Sequence, residues 1–211
     1  MNNVELNNMV SLKVFQEAFK YLTDVVDKTV RSLDPERIEN VFRILADAQR
    51  NNHTIITDGK GRSKQSILLM EDCLEQNGFP IILPTSNANL RPWTKGDVLI
   101  FNSGSGTASP LRHAEEAKKA GLSVTGMTYN STLDDEFPDL LVLEPSKSKN
   151  KLYAPLGTEF ELSSAVIGTC LAYSLKDSCQ KSIDEFEQST QRVIELFHST
   201  YDYLEENLEM L

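Results

Sequence analysis

The amino-acid sequence predicts an α/β protein with a doubly wound parallel sheet. Short segments rich in β-branched residues alternate with amphipathic segments of helical length, and this alternation is typical of a parallel sheet with helices on its faces. Two of the predicted strands also run directly into glycine-rich turns that precede predicted helices. Because ligands of such sheets bind outside the carboxyl ends of the strands, these two turns are the first candidates for a functional site.

The first 51 residues predict two helices. Apolar residues from Leu12 to Leu33 recur at steps of three and four positions, which is the pattern of an amphipathic helix. Asp34 can cap a second helix, and Pro35 suits the first position of that helix. We expect these helices to pack on the sheet or to contact another subunit rather than to carry chemistry.

Residues 52–177 predict the α/β core. The five predicted strands are residues 53–58, 80–83, 97–102, 122–128 and 140–143. Helices are predicted after Ser63, from Ala108 to Ala120 and from Thr158 to about Lys176. The last segment, 178–211, carries an apolar near-heptad stripe between acidic faces, which predicts a terminal helix docked on its own domain or on a neighbouring subunit. The chain therefore predicts a single domain, 1–211, with additional helices at both ends.

Charge and composition argue against several classes of protein. The chain of 211 residues has a formal net charge of -10 and no basic tract, which argues against a nucleic-acid partner and against an anionic membrane surface. No apolar run approaches the ~20 residues of a membrane span, and no signal peptide is evident. Cys73, Cys170 and Cys179 form no Cys-x-x-Cys pair, so we expect reduced cysteines and a cytoplasmic location.

The two glycine-rich turns together predict an anion site. They read Gly59-Lys60-Gly61-Arg62-Ser63 and Ser103-Gly104-Ser105-Gly106-Thr107. Each turn places small hydroxyls and backbone N–H groups at the start of a predicted helix, where the helix dipole favours a phosphate. Neither turn fits the Walker or the dinucleotide-binding pattern. Either turn alone could be only a tight connection, and chance enrichment of hydroxyls in turns remains the alternative for the pair.

The order of the elements, the two turns and a third motif, Pro155-Leu156-Gly157-Thr158-Glu159-Phe160-Glu161, resemble the sugar isomerase (SIS) domain family, and within it the 6-phospho-3-hexuloisomerases. The resemblance covers the chain from about Val14 onward. It implies a three-layer α/β/α sandwich with a five-stranded parallel sheet of flavodoxin-like topology. It also implies a homo-oligomer, a tetramer or dimer with sites near subunit interfaces, and a phosphorylated sugar as ligand. No cofactor and no metal are implied.

The resemblance also assigns roles to individual residues. Glu161 would be the catalytic base that moves a proton between adjacent sugar carbons through an enediolate. The implied phosphate contacts all lie in the two turns: Gly61, Arg62, Ser63, Ser103, Gly104, Ser105 and Thr107. Lys60 and His113 are further candidates. The alternatives are that Glu161 is an acid favoured by the helix dipole, and that His113 is a surface or packing residue.

Four positions depart from the family's pattern. Lys60 and Lys64 stand where the family usually has a small residue and a glycine, so they could strengthen anion binding or obstruct the usual substrate. Ala108 occupies a position that is usually threonine, and Glu205 occupies that of a histidine near the C-terminus. Three functions stay open: an isomerase giving fructose 6-phosphate, an isomerase of another sugar phosphate, and a non-catalytic phosphosugar sensor.

Overall fold

The computed structural model of the chain describes residues 3–82, 92–144, 153 and 158–175. It shows a parallel sheet with helices on both faces, as the sequence predicts. The strands are β1 (Ile55–Gly59), β2 (Ile81–Ile82), β3 (Val98–Asn102), β4 (Ser123–Thr128) and β5 (Leu140–Val142). The helices are α1 (Asn3–Arg31), α2 (Pro35–Arg50), α3 (Arg62–Gln76), α4 (Ala108–Lys119) and α5 (Thr158–Ser174). The predicted terminal helix, 178–211, lies outside the described residues.

The sheet brings the two glycine-rich turns to the same edge. Its five strands lie in the order β2-β1-β3-β4-β5, and every pair is parallel. The chain order reverses between β1 and β3, and crevices at such reversals are where doubly wound sheets bind ligands. Gly59 and Asn102, the last residues of β1 and β3, are paired in register. The turns that follow them therefore start side by side.

Apolar residues on the two faces of the sheet form two separate cores. On one face, α2, α3 and α5 cover alternate residues of the strands, among them Ile55, Ile100 and Leu141. On the other face, α4 covers the intervening residues, including Leu99 and Phe101. This alternation follows from the period of two in a β-strand, and it gives the three layers that the resemblance implies.

The helix start predicted at Pro35 is confirmed. The carboxylate of Asp34 accepts a hydrogen bond from the Glu36 N–H at 2.9 Å, and Pro35 occupies the first helical position, where no backbone N–H is needed. The first strand begins at Ile55 rather than at the predicted residue 53. The reason is that His53 N–H bonds the end of α2, at Ala48 O, and so does not join the sheet.

Helix α1 leaves a long apolar face exposed. Leu12, Phe15 and Phe19 are each more than half exposed. A groove of about 560 Å³ runs between α1 and α5, lined in part by Phe19 and Val166. Among the described helices none is both long enough and apolar enough to cross a bilayer.

Candidate functional site

The first turn prepares the start of α3 for an anion. Gly61 has a φ of +60°, a backbone conformation that favours glycine, and it caps α3 without a side-chain hydrogen bond. Its carbonyl accepts hydrogen bonds from the N–H groups of Lys64 and Gln65. The first N–H groups of the helix, those of Arg62 and Ser63, come before this bonded turn. They lie at the positive end of the helix dipole, which is where helices bind phosphates.

The start of α3 and the start of α5 meet at Arg62. The guanidinium donates from Nη1 to Thr158 Oγ1 at 3.1 Å, and Nη2 lies 3.4 Å from Glu161 Oε2. The structure therefore brings together residues from the first turn and from the third motif, which are almost 100 positions apart in sequence. Arg62 remains about half exposed, so its charge is also accessible from solvent.

Glu161 occupies a partly desolvated position. Its side chain is 19% exposed, and Oε2 makes no hydrogen bond to any described residue. Burial raises the pKa of this carboxyl, while the Arg62 charge and a hydrogen bond with the Ser63 side chain act in the opposite direction. A carboxylate with a raised pKa is a stronger base than an exposed one, provided that it still ionises at working pH.

The second turn folds partly onto itself. Ser103 is buried, its hydroxyl accepts a hydrogen bond from Thr107 N–H at 3.1 Å, and it lies 3.2 Å from Thr107 Oγ1. By contrast, Ser105 and Thr107 are exposed at the start of α4. Gly104 packs so closely on α5 that a Cβ there would lie 3.1 Å from the Phe160 ring. The second turn is thereby held against the helix that carries Glu161.

The two lysines that depart from the family pattern have different surroundings. Lys60 is exposed in the first turn. Lys64 instead turns away from the crevice, and its Nζ donates to Thr57 Oγ1 at 2.6 Å and lies 3.5 Å from Glu71 Oε2. Glu71 is fully buried, and burial raises the pKa of its carboxyl against the opposing influence of Lys64. Lys64 thus places a positive charge beside the buried carboxyl of Glu71.

His113 lies on α4, which covers the face of the sheet opposite α5. Its Nδ1 is 2.8 Å from Asp58 Oδ2, and Asp58 Oδ1 accepts the Gly59 N–H. The pair sits at the end of β1 under α4, on the face opposite α5. His113 therefore borders the crevice from the side that does not hold Glu161. The sequence offered no sign of its partner Asp58.

Sequence reasoning missed several polar residues around the site. Tyr129 follows β4, and its hydroxyl is buried without a hydrogen-bond partner among the described residues. Burial raises its pKa, with further contributions from the negative charges of Glu159 and Glu161. Glu159 in turn accepts a hydrogen bond from the Tyr21 hydroxyl of α1. Only long-range packing joins these residues, so no local pattern could have identified them.

Within the described residues, no group of three or more histidine, cysteine or acidic side chains is placed to hold a metal. What the site does offer is the N-terminal end of α3, a guanidinium and a mostly buried carboxylate in contact with it. That set can bind a phosphorylated molecule and exchange a proton with it.

Comparisons with known proteins agree with this description of the fold. No family model matches the sequence, and no curated protein matches it significantly. Solved structures do match. A putative sugar-phosphate isomerase from Listeria monocytogenes has a TM-score of 0.71 and 17% identity, over 84% of this chain and 95% of that one. The fold is that of the sugar isomerase (SIS) domain.

Two further structures extend the comparison. A protein from Methanococcus jannaschii, for which a 3-hexulose-6-phosphate isomerase function has been inferred, has a TM-score of 0.65 and 23% identity, over 82% of this chain and 96% of that one. The NanR protein of Vibrio vulnificus, in complex with ManNAc-6P, has a TM-score of 0.66 and 18% identity, over 91% of this chain and 72% of that one.

Proposed function

We propose that this protein is a phosphosugar isomerase, most like a 6-phospho-3-hexuloisomerase, which converts 3-hexulose 6-phosphate into fructose 6-phosphate. The observation that carries the proposal is the position of Glu161. Its carboxyl is mostly buried, has a raised pKa and contacts Arg62 at the start of α3, where we propose that the phosphate binds. The inferred function of the Methanococcus jannaschii protein with the same fold supports this choice of substrate.

In the proposed reaction the phosphate serves as an anchor. The N–H groups at the start of α3 and the exposed hydroxyls of Ser105 and Thr107 supply the donors that its oxygens need, and the Ser63 hydroxyl joins them by turning from the Glu161 carboxyl. The other predicted contacts are Gly61, Ser103 and Gly104. Lys60, exposed in the first turn, adds positive charge near the phosphate. Ser103 also stabilises the turn, because its hydroxyl already bonds Thr107.

With the phosphate held, the chemistry is a proton transfer. The Glu161 carboxylate removes the proton from the carbon beside the carbonyl, which leaves an enediolate. The hydroxyl proton of that carbon passes to the former carbonyl oxygen, and Glu161 returns its own proton to the former carbonyl carbon, so that the carbonyl has moved by one position. Arg62 lies where it can stabilise the negative charge that develops on oxygen. The residues that do this work all belong to the protein, so we propose no cofactor.

A second candidate function is a phosphosugar sensor without catalysis. Two observations favour it: Ala108 provides no hydroxyl at the start of α4, and the Ser103 hydroxyl is turned inward. The complex of NanR with ManNAc-6P supports phosphosugar binding by this fold. An isomerase acting on a different sugar phosphate is the remaining alternative.

The test is Glu161→Gln. If Glu161 is the base, turnover in a coupled assay for fructose 6-phosphate falls by about 10²–10⁴-fold, while phosphosugar binding measured by calorimetry is largely kept. Glu159→Gln is the matched control, because it removes a negative charge only two residues away. A glutamine at this position can still accept the hydrogen bond from the Tyr21 hydroxyl. Normal turnover in Glu161→Gln would refute the base assignment. Binding by the wild-type protein without turnover of any hexose, pentose or amino-sugar phosphate would favour the sensor.

We also propose that the protein is a cytoplasmic homo-oligomer, a dimer or tetramer. The exposed apolar side chains of α1, Leu12, Phe15 and Phe19, form the kind of surface that contacts a second copy. Cys73 and Cys170 are both unpaired, which suits a reducing compartment. A monomeric mass in light scattering would contradict the oligomer.

A further inference from the structure

A buried polar cluster lies directly beneath the candidate site, between β3, α3 and α5. Asn102, Ser163 and Ser164 are fully buried, and Ser66 is 8% exposed. The four residues come from three elements: Asn102 ends β3, Ser66 lies in the first turns of α3, and the two other serines lie in α5. The cluster is therefore at the junction of all three predicted site motifs.

The Asn102 amide is the centre of this cluster. Its Nδ2 donates to the backbone carbonyl of Ser63 at 2.6 Å and to Ser66 Oγ at 2.9 Å. Ser164 Oγ lies 3.4 Å from the same nitrogen. Because an amide has two N–H groups, these three acceptors share two protons.

The two serine hydroxyls extend the contacts of Asn102 in opposite directions. Ser66 Oγ donates to Ser63 O at 3.0 Å, and Ser164 Oγ donates to Glu161 O at 3.2 Å. The two hydroxyls are 2.9 Å apart. With both hydroxyl protons donated to backbone carbonyls, it is the Asn102 amide that completes the path from the backbone of Ser63, which is predicted to hold the phosphate, to the backbone of Glu161, the proposed base.

Asn102 also contacts both glycine-rich turns through the main chain. The residue after it is Ser103, which opens the second turn, and its own register partner is Gly59 at the end of β1. The fit is tight, because a Cβ on Gly59 would lie 2.8 Å from Asn102 O. The side chain and backbone of this one residue therefore contact the starts of both turns and, through Ser164, the start of α5.

Stability alone does not account for this cluster. Asn102 Oδ1 and Ser163 Oγ are buried and have no hydrogen-bond partner among the described residues. A buried polar group without a partner is unfavourable compared with an apolar side chain of the same shape. Hydrogen bonds, unlike apolar contacts, fix direction and distance, and a proton transfer needs both to be fixed.

We propose that Asn102 is a positioning residue, which sets the distance between the phosphate-binding start of α3 and the Glu161 carboxyl. The inference rests on the proposed function, since it assigns a purpose to the relative placement of Ser63 and Glu161. Asn102 itself is buried and acts through the backbones of those two residues. Ser66 holds the Ser63 backbone through its carbonyl, and Ser164 holds the Glu161 backbone in the same way.

The test compares Asn102→Ala with Asn77→Ala. Asn77 is the matched control: it is 4% exposed, and its Nδ2 donates to a carbonyl of α5, Ala172 O, at 2.8 Å. It joins the same two helices at the end of α3 that is remote from the site. Both variants are expected to lower the melting temperature. Only Asn102→Ala is expected to lower kcat/KM, by about 10- to 100-fold, as displaced reacting groups do.

The serine variants give a readout that a purely structural role would not produce. Ser66→Ala is expected to raise the Kd for fructose 6-phosphate with little change in kcat, because it loosens the Ser63 backbone. Ser164→Ala is expected to lower kcat with little change in Kd, because it loosens the Glu161 backbone. Asn102→Ala is expected to change both.

The outcomes separate the two hypotheses. If the wild-type protein converts the sugar and Asn102→Ala behaves like Asn77→Ala in both kcat and Kd, the positioning role is refuted and the proposed function stands. Equal changes of kcat and Kd in Ser66→Ala and Ser164→Ala would also overturn it. If the wild-type protein neither binds nor converts any phosphosugar, the proposed function fails and the positioning role fails with it.

Discussion

At Glu161, burial and a neighbouring guanidinium act on the same carboxyl in opposite directions. Burial raises its pKa, and the Arg62 charge lowers it. The balance decides the pH at which the proposed base becomes active, because only the ionised carboxylate can accept a proton. The kcat/KM profile should therefore have an acid limb above the ordinary value of 4.5 for a glutamate.

Removal of the Arg62 charge should move that limb. In Arg62→Leu the carboxyl loses the influence that lowers its pKa, so it stays protonated to higher pH and the acid limb shifts upward. The shift is measured from kcat/KM between pH 4 and 9. Arg50→Leu, which removes the same charge from an exposed pair with Asp47 at the end of α2, should leave the limb in place. A limb that is unmoved in Arg62→Leu, or that moves down, would contradict this description of Glu161.

Sequence patterns predicted some of these residues and missed others for a physical reason. Ser63 and Glu161 each lie in the first turn of a helix and within a recognisable motif, so their placement at the sheet edge followed from the fold. Asn102 and Tyr129 make contacts with residues distant in sequence, such as that of Asn102 with Ser164 and that of the Tyr129 ring with Phe160. Nothing within a few positions of either residue specifies those partners.

At the scale of elements, the first turn and the start of α3 carry two lysines with different surroundings. The sequence left open whether Lys60 and Lys64 assist or obstruct an anion. The structure separates them, because Lys60 is exposed in the turn and Lys64 reaches back to Thr57 and Glu71. A lysine at the third position of a helix can point either way, and only the position of Glu71 two turns later decides it.

Substitution by methionine should distinguish the two lysines. Lys64→Met leaves Glu71 buried without a cation, so the free energy of unfolding should fall by about 3 kcal/mol, while the Kd for fructose 6-phosphate stays within about twofold of wild type. Lys60→Met should do the reverse, weakening binding by about threefold with a change in stability below about 0.5 kcal/mol. Weakened binding in Lys64→Met without lost stability would place its charge in the site instead.

Element boundaries were predicted well where a local signal exists. Pro35 and Asp34 gave the start of α2, and Gly121 gave the end of α4, whose last helical residue is Lys119. The start of β1 was predicted two residues early, because the bond of His53 N–H to Ala48 O depends on how α2 meets the sheet.

At the scale of the whole molecule, the strand order brings the segments of the candidate site together. Because β1 and β3 are neighbours, the two glycine-rich turns that follow them lie side by side. The alternation of helices and strands was enough to predict the parallel sheet. The order β2-β1-β3-β4-β5 then places the starts of α3 and α4 on opposite faces of neighbouring strands, with the start of α5 beside α3. A net charge of -10 does not prevent anion binding there, because the helix dipoles and Arg62 act locally.

The most direct test is a crystal structure of the protein with fructose 6-phosphate, at a concentration that a titration shows to be saturating. We expect the phosphate within hydrogen-bonding distance, about 2.7–3.2 Å, of the N–H groups that begin α3 and of donors in the second turn. The second and third carbons of the sugar should lie against the Glu161 carboxyl. A phosphate bound away from both turns, or a sugar chain directed away from Glu161, would contradict the proposed site.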